Sequence, residues 1–179
     1  MTGEQRNALL AQMTDEVAAL VLRDNYEQNL ALANAVAHAP SLLHVHEEWM
    51  RELERRGVLN RELEALPNSR QVRLLLDRDQ GLSLPELSVL FAYTKIVLAD
   101  ELLATELPDD PYLNEDLLAY FPSRMKPDLE QAMSQHPLRR EIIVTQVVND
   151  LVNGAGMTFW PRLAGETGAT VADLTRANF

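Results

Sequence analysis

Apolar residues recur at three- and four-residue intervals along almost the whole chain, and the strict alternation of a half-buried strand is rare. The pattern predicts an all-α fold, a multi-helix bundle. A first long helix is expected over about 14–37, closed by Pro40. Ser41 reads as the N-cap of a second helix that ends before Gly57. Asn60 and Asn68 read as caps of two shorter helices, the second stopping near Gly81. Ser83 and Glu86 stand at capping-box spacing with Pro85 in the first turn, which predicts a helix from there to about residue 104. That helix is apolar nearly all round, through Leu87, Val89, Leu90, Phe91, Ala92, Ile96, Val97, Leu98 and Leu102, and is expected to be central and buried. Asp110 and Pro111 open the next, which Phe121-Pro122 stops. Further helices are expected over about 127–135, from Pro137 onward, and from Thr170, where Thr170 and Asp173 repeat capping-box spacing. Pro67 to Ser83 is the natural joint. The expected organisation is an N-terminal lobe over 1–67 and a C-terminal bundle over 68–179, or one continuous helical domain.

Composition narrows the function classes. A 179-residue chain with 46% hydrophobic residues can bury a real core. A net charge of −11 argues against nucleic acid and against anionic membranes as partners. Cysteine is absent, so there is neither a disulfide framework nor a thiolate metal site, which fits a cytoplasmic protein. No apolar run approaches the roughly 20 residues of a membrane span.

Candidate chemistry is sparse. In HPLRREIIVTQVVNDLVNGAG, residues 136–156, Gly154-Ala155-Gly156 invites a dinucleotide reading, but the third glycine of G-x-G-x-x-G is missing. The run before it is helical: Ile143, Val144, Val147, Val148, Leu151 and Val152 share one half of a wheel. Gly154 therefore reads as a helix C-cap. Arg139 and Arg140 sit in the first turn, where the helix dipole opposes positive charge. Arg140 falls within the apolar half. Either its stem lies on the core with the head in water, or it pairs with a carboxylate of another lobe, domain or subunit. His44-Val45-His46-Glu47-Glu48 lacks the spacing of a zincin, and its two histidines diverge by about 200° on a helix. Asp109-Asp110 fits a helix cap better than an acid–base pair. Lys95, in the apolar central helix, is expected to snorkel or to be ion-paired.

Four long blocks carry a family resemblance. EQRNALLAQMTDEVAALVLRDNYEQNLAL (4–32), LSLPELSVLFAYTKIVLADELL (82–103), LPDDPYLNEDLLAYFP (107–122) and HPLRREIIVTQVVNDLVNGAGMTFWPRL (136–163) resemble, in order, the C-terminal helical region of the large bacterial NAD-dependent glutamate dehydrogenases. The resemblance implies a far longer, oligomeric parent that oxidises glutamate to 2-oxoglutarate and ammonium with NAD. It implies that catalytic and nucleotide-binding residues lie elsewhere in that parent. No catalytic, cofactor or metal residue is assigned here, and the expected partner is the catalytic dinucleotide-binding domain of the same chain. Arg139, Arg140, Asn149 and Asn153 are the expected interdomain contacts. The alternative is a free-standing helical adaptor without enzymatic activity. Both ends of the sequence are expected to be cuts in a longer polypeptide.

Overall fold

In the computed structural model, which describes residues 2–178 except for the side chains of residues 127 and 128, the regular elements are all helical. They are α1 (Gly3–His38), α2 (Leu43–Arg55), α3 (Ser69–Leu76), α4 (Leu84–Leu103), α5 (Asn114–Tyr120), α6 (Lys126–Ser134), α7 (Arg139–Ala155), α8 (Phe159–Thr167) and α9 (Val171–Asn178). Short 3-10 turns at Leu107–Asp109, Pro111–Leu113 and Ser123–Met125 join α4, α5 and α6.

Several predicted caps form as read. The Asn68 side chain accepts from the amides of Arg70 and Gln71, and Gln71 returns a bond to the Asn68 amide. Glu86 accepts from both the amide and the hydroxyl of Ser83 at 2.6 Å. Thr170 accepts from the amide of Asp173. Each pairing supplies partners that the end of a helix lacks internally.

Other boundaries differ, each for a local reason. α1 starts at Gly3 rather than near Thr14, because Thr2 and Gln5 form a reciprocal capping box. Thr14 lies inside the helix and donates back to the Leu10 carbonyl, an option open to mid-helix threonine. Asn60 does not begin a helix. Its side chain accepts from the Leu63 amide, and the chain turns out at Ala65, which takes a φ of 54°. α7 runs through Gly154 and ends at Gly156, whose φ of 89° suits glycine and turns Met157 back into the core. α8 lies where no helix is expected from the sequence. Its Pro161 falls in the first turn, where the lost amide costs nothing, and Gly168 ends it in the left-handed region at φ 69°.

α4 is the central helix, packing on α1, α7 and α9, while α5 covers another side of α7. Leu87, Leu90, Phe91, Val97, Leu98 and Leu102 of α4 are buried, although Ile96 is half exposed, so the helix is not enclosed all round. The apolar half of α7 read from the wheel is buried in full. Leu43, Met50 and Leu53 of α2 belong to the same apolar cluster as α4 and α7. Gly81 lets the Ala39 corner approach so closely that a Cβ there would lie 2.3 Å from the Ala39 carbonyl carbon.

Candidate interdomain surface

Polar side chains inside the fold are largely spent on holding helices together. Arg140 reaches from the start of α7 to the end of α4, donating to the carbonyls of Leu103 and Thr105 at 2.9 Å and pairing with Asp109. Arg139 joins the same carboxylate at 2.7 Å. The position that looked unfavourable for α7 is favourable for α4, since a cation at a helix C-terminus meets unpaired carbonyls and the negative end of the dipole. Asn149 accepts from Lys95 Nζ at 2.8 Å. That ammonium also lies 4.9 Å from the Phe91 ring centre, and burial lowers its pKa against the opposing pull of Asp24. Asn153 Oδ1 is buried without a partner. Arg139, Arg140 and Asn149 are therefore tied within the chain. Arg139 and Arg140 gather at Asp109, whereas Asn149 and Asn153 face α1.

The residues of the histidine segment of α2 divide between a buried cluster and an open cavity. Glu47 accepts from Arg61 at 2.6 Å, Arg51 at 2.8 Å and Ser69 at 2.8 Å, and Arg61 also bonds Glu54 and the Pro67 carbonyl. This buried pair clips α2 to the start of α3. His46 is fully buried; desolvation, with His44 nearby, lowers its pKa to about 4, so it stays neutral at physiological pH. His44 and Glu48 instead line an open cavity of about 560 Å³ with Trp49, Arg56, Trp160 and Arg162. There the two indoles meet edge to face at 5.5 Å, and the Arg56 guanidinium lies 5.7 and 5.8 Å from their centres. Arg55 and Arg56 hold Glu52 at about 2.

The feature that the residue-by-residue reading missed is the surface of α1. Leu22 and Tyr26 are 70% and 68% exposed, Leu30 is 49% exposed, and the helix buries only Met13 and Ala31 outright. A wheel drawn through residues 18–37 would have revealed it.

Residues 79–179 match the family model "Glutamate dehydrogenase, C-terminal". Residues 1–35, within α1, match "Bacterial NAD-glutamate dehydrogenase, catalytic domain". The chain is similar to the NAD-specific glutamate dehydrogenases of Pseudomonas aeruginosa, 45% identical over 177 residues, and Halomonas elongata, 44% over 177 residues, each alignment covering 99% of this chain. It is 42% identical over 174 residues, 97% of the chain, to that of Mycobacterium tuberculosis. In all three the aligned region is 11% of the relative's length.

Proposed function

Since the chain belongs to the glutamate dehydrogenase C-terminal family, we propose that it is a helical portion of a large NAD-dependent glutamate dehydrogenase and braces the catalytic domain. The parent reaction is the oxidation of glutamate by NAD and water to 2-oxoglutarate, ammonium and NADH. NAD binds in the parent's catalytic domain and not on these residues. In the assembled cytoplasmic oligomer the rest of the parent chain is the partner, with Arg139, Arg140, Asn149 and Asn153 steadying the shared surface from within this chain.

One observation carries this reading. The segment matched by the catalytic-domain model, residues 1–35, packs along helices α4 and α7 of the C-terminal part. Glu16 of α1 accepts from the Ser123 amide at 2.8 Å and from its hydroxyl at 2.9 Å, and Gln12 accepts from Arg124. Met13 and Ala31 are buried in α1, which packs against α4 and α7. A helix held this way transmits the position of one domain to the other.

The test is deletion. A full-length dehydrogenase lacking the residues equivalent to 79–179 is expected to lose glutamate-dependent NADH production or its native assembly state. A truncated enzyme with full activity and unchanged assembly would overturn the reading, as would glutamate oxidation by the isolated 179-residue chain.

A further inference from the structure

Along its middle, α1 is amphipathic in the wrong sense for a helix that ends at solvent. Every residue from Val21 to Leu30 is exposed. The charged residues of the span, Arg23, Asp24 and Glu27, fall on the same half of the helix as Met13 and Ala31, with side chains 59%, 64% and 46% exposed. They line a narrow cleft against Gln146, Asn149, Asp150 and Asn153 of α7. Leu22 and Tyr26 point the other way, about 140–180° around the helix from Met13 and Ala31. Ala18, Ala33 and Val36 continue that outer face, and the three charged residues between 18 and 37 all lie on the inner half. A helix whose outer side met only water would place charge outside and apolar groups inside. Together with Leu30 and Val36, and interrupted by Asn25 and Asn29, the exposed side chains form a surface on the order of several hundred Å², a size that marks an interaction site.

We propose that the outer face of α1, centred on Leu22 and Tyr26, is the seam on which the catalytic domain of the same dehydrogenase docks. The assignment rests on the function proposed above. Two facts choose this occupant. The catalytic-domain model claims α1 and no other helix of the chain, while the C-terminal model begins only at residue 79, so α1 is shared by two domains and needs two packed sides. The chain also spans 11% of its relatives' length, leaving ample polypeptide to cover the seam. The chemistry disfavours other partners. The face carries no basic residue for phosphate, and a chain of net charge −11 is repelled by nucleic acid and anionic lipid.

The experiment uses the full-length dehydrogenase with the photo-crosslinking residue benzoylphenylalanine in place of Leu22, and as a control in place of Leu63, which is 79% exposed on a turn. After irradiation, the linked peptides are mapped by mass spectrometry. The expected result is linkage from position 22 to catalytic-domain peptides outside these 179 residues, with a yield about tenfold above that from position 63, as for the dry centre of an interface. Introducing Tyr26→Glu should lower that yield several-fold. Links confined to a second copy of this helical region would overturn the proposal, as would a yield no higher than that of the control. The deletion described above keeps the two readings separable. If the deletion inactivates the enzyme while position 22 links only to another copy, the docking assignment alone falls. If the truncated enzyme is fully active and assembled, the bracing function falls whatever the links show.

Discussion

Replacing Arg140 with methionine keeps most of the aliphatic stem and removes the guanidinium. The loss is two hydrogen bonds of 2.9 Å to the carbonyls of Leu103 and Thr105, and the pairing with Asp109. A hydrogen bond to a charged group contributes about 1.5–3 kcal/mol. Both bonds here are only partly buried, so water replaces part of each and about 1 kcal/mol apiece remains. The exposed pair with Asp109 adds little, and Asp109 keeps Arg139 at 2.7 Å. The dipole effects nearly cancel. Relief at the start of α7 offsets the loss at the end of α4, each roughly 0.3–1 kcal/mol. The net expectation is a loss of about 2 kcal/mol, or a Tm lowered by roughly 4–8 °C for a chain of this size. Arg139→Met removes only an exposed pair and a 3.5 Å contact to the Pro108 carbonyl, and should cost about 0.5 kcal/mol or less. Thermal and urea unfolding of the 179-residue chain and both variants measure the contrast, with equal m-values confirming that the same surface unfolds. Equal losses for the two substitutions, or an Arg140→Met chain as stable as the parent, would refute the argument that Arg140 acts as a clip between α4 and α7. An effect seen only in the full-length enzyme would place Arg140 at a domain boundary instead.

Gly81→Ala should destabilise by roughly 1–3 kcal/mol, since its Cβ would lie 2.3 Å from the Ala39 carbonyl carbon and 2.6 Å from its oxygen; a urea midpoint unchanged by the substitution would remove that contact from the account. His46 titrates near 4 when folded against an ordinary 6.5 when unfolded, so the unfolded chain takes up the proton first. The stability present above about pH 6.5 is therefore lost as pH falls toward 4, by at most about 3 kcal/mol, and His46→Gln should flatten that part of the stability profile. Asp150 behaves oppositely. Burial first, then the carboxylates of Asp116, Glu27 and Asp24, raise its pKa, so its ionisation near neutrality opposes folding. Asp150→Asn should raise the thermal midpoint at pH 7, and its advantage should shrink as acid protonates the native aspartate.

What could be read from the sequence follows the range of each interaction. Asn68, Ser83 and Thr170 could be read because a capping box is complete within four residues. The buried half of α7 was legible because six apolar residues on one side of a wheel leave little choice of orientation. α8 was not, because Pro161 and Gly165 look like punctuation until the proline is known to fall in a first turn. The Glu47–Arg61 clip joins residues fourteen apart across the irregular turn at Ala65. Periodicity carries no information about such a meeting. The double role of Arg140 was half legible. Its misplacement on the α7 dipole showed in the sequence, while the α4 terminus that compensates it is brought there only by the fold.

The interaction surface was hidden for a different reason, which bears on how it works. A helix with one packed side advertises itself by a strong contrast between its faces. α1 has Met13 and Ala31 on one side and Leu22 and Tyr26 on the other, so the contrast averages away over its 36 residues. The weak signal is what a helix between two apolar partners must show. The charges lie on the flank nearer α7, still open to water, where Asp24 and Glu27 help raise the pKa of Asp150. That arrangement is unfavourable if α1 is considered as the outer wall of this chain alone. It becomes reasonable if burial of Leu22 and Tyr26 under the catalytic domain, at roughly 1.5–3 kcal/mol for each side chain fully covered, offsets the cost of the acidic cleft. On this account α1 packs more firmly against α7 in the full-length enzyme than in the isolated chain, and its amide hydrogens between 21 and 30 should exchange more slowly there. Equal exchange in the two settings would mean that the outer face stays in water and that the inverted helix gains nothing from its neighbour.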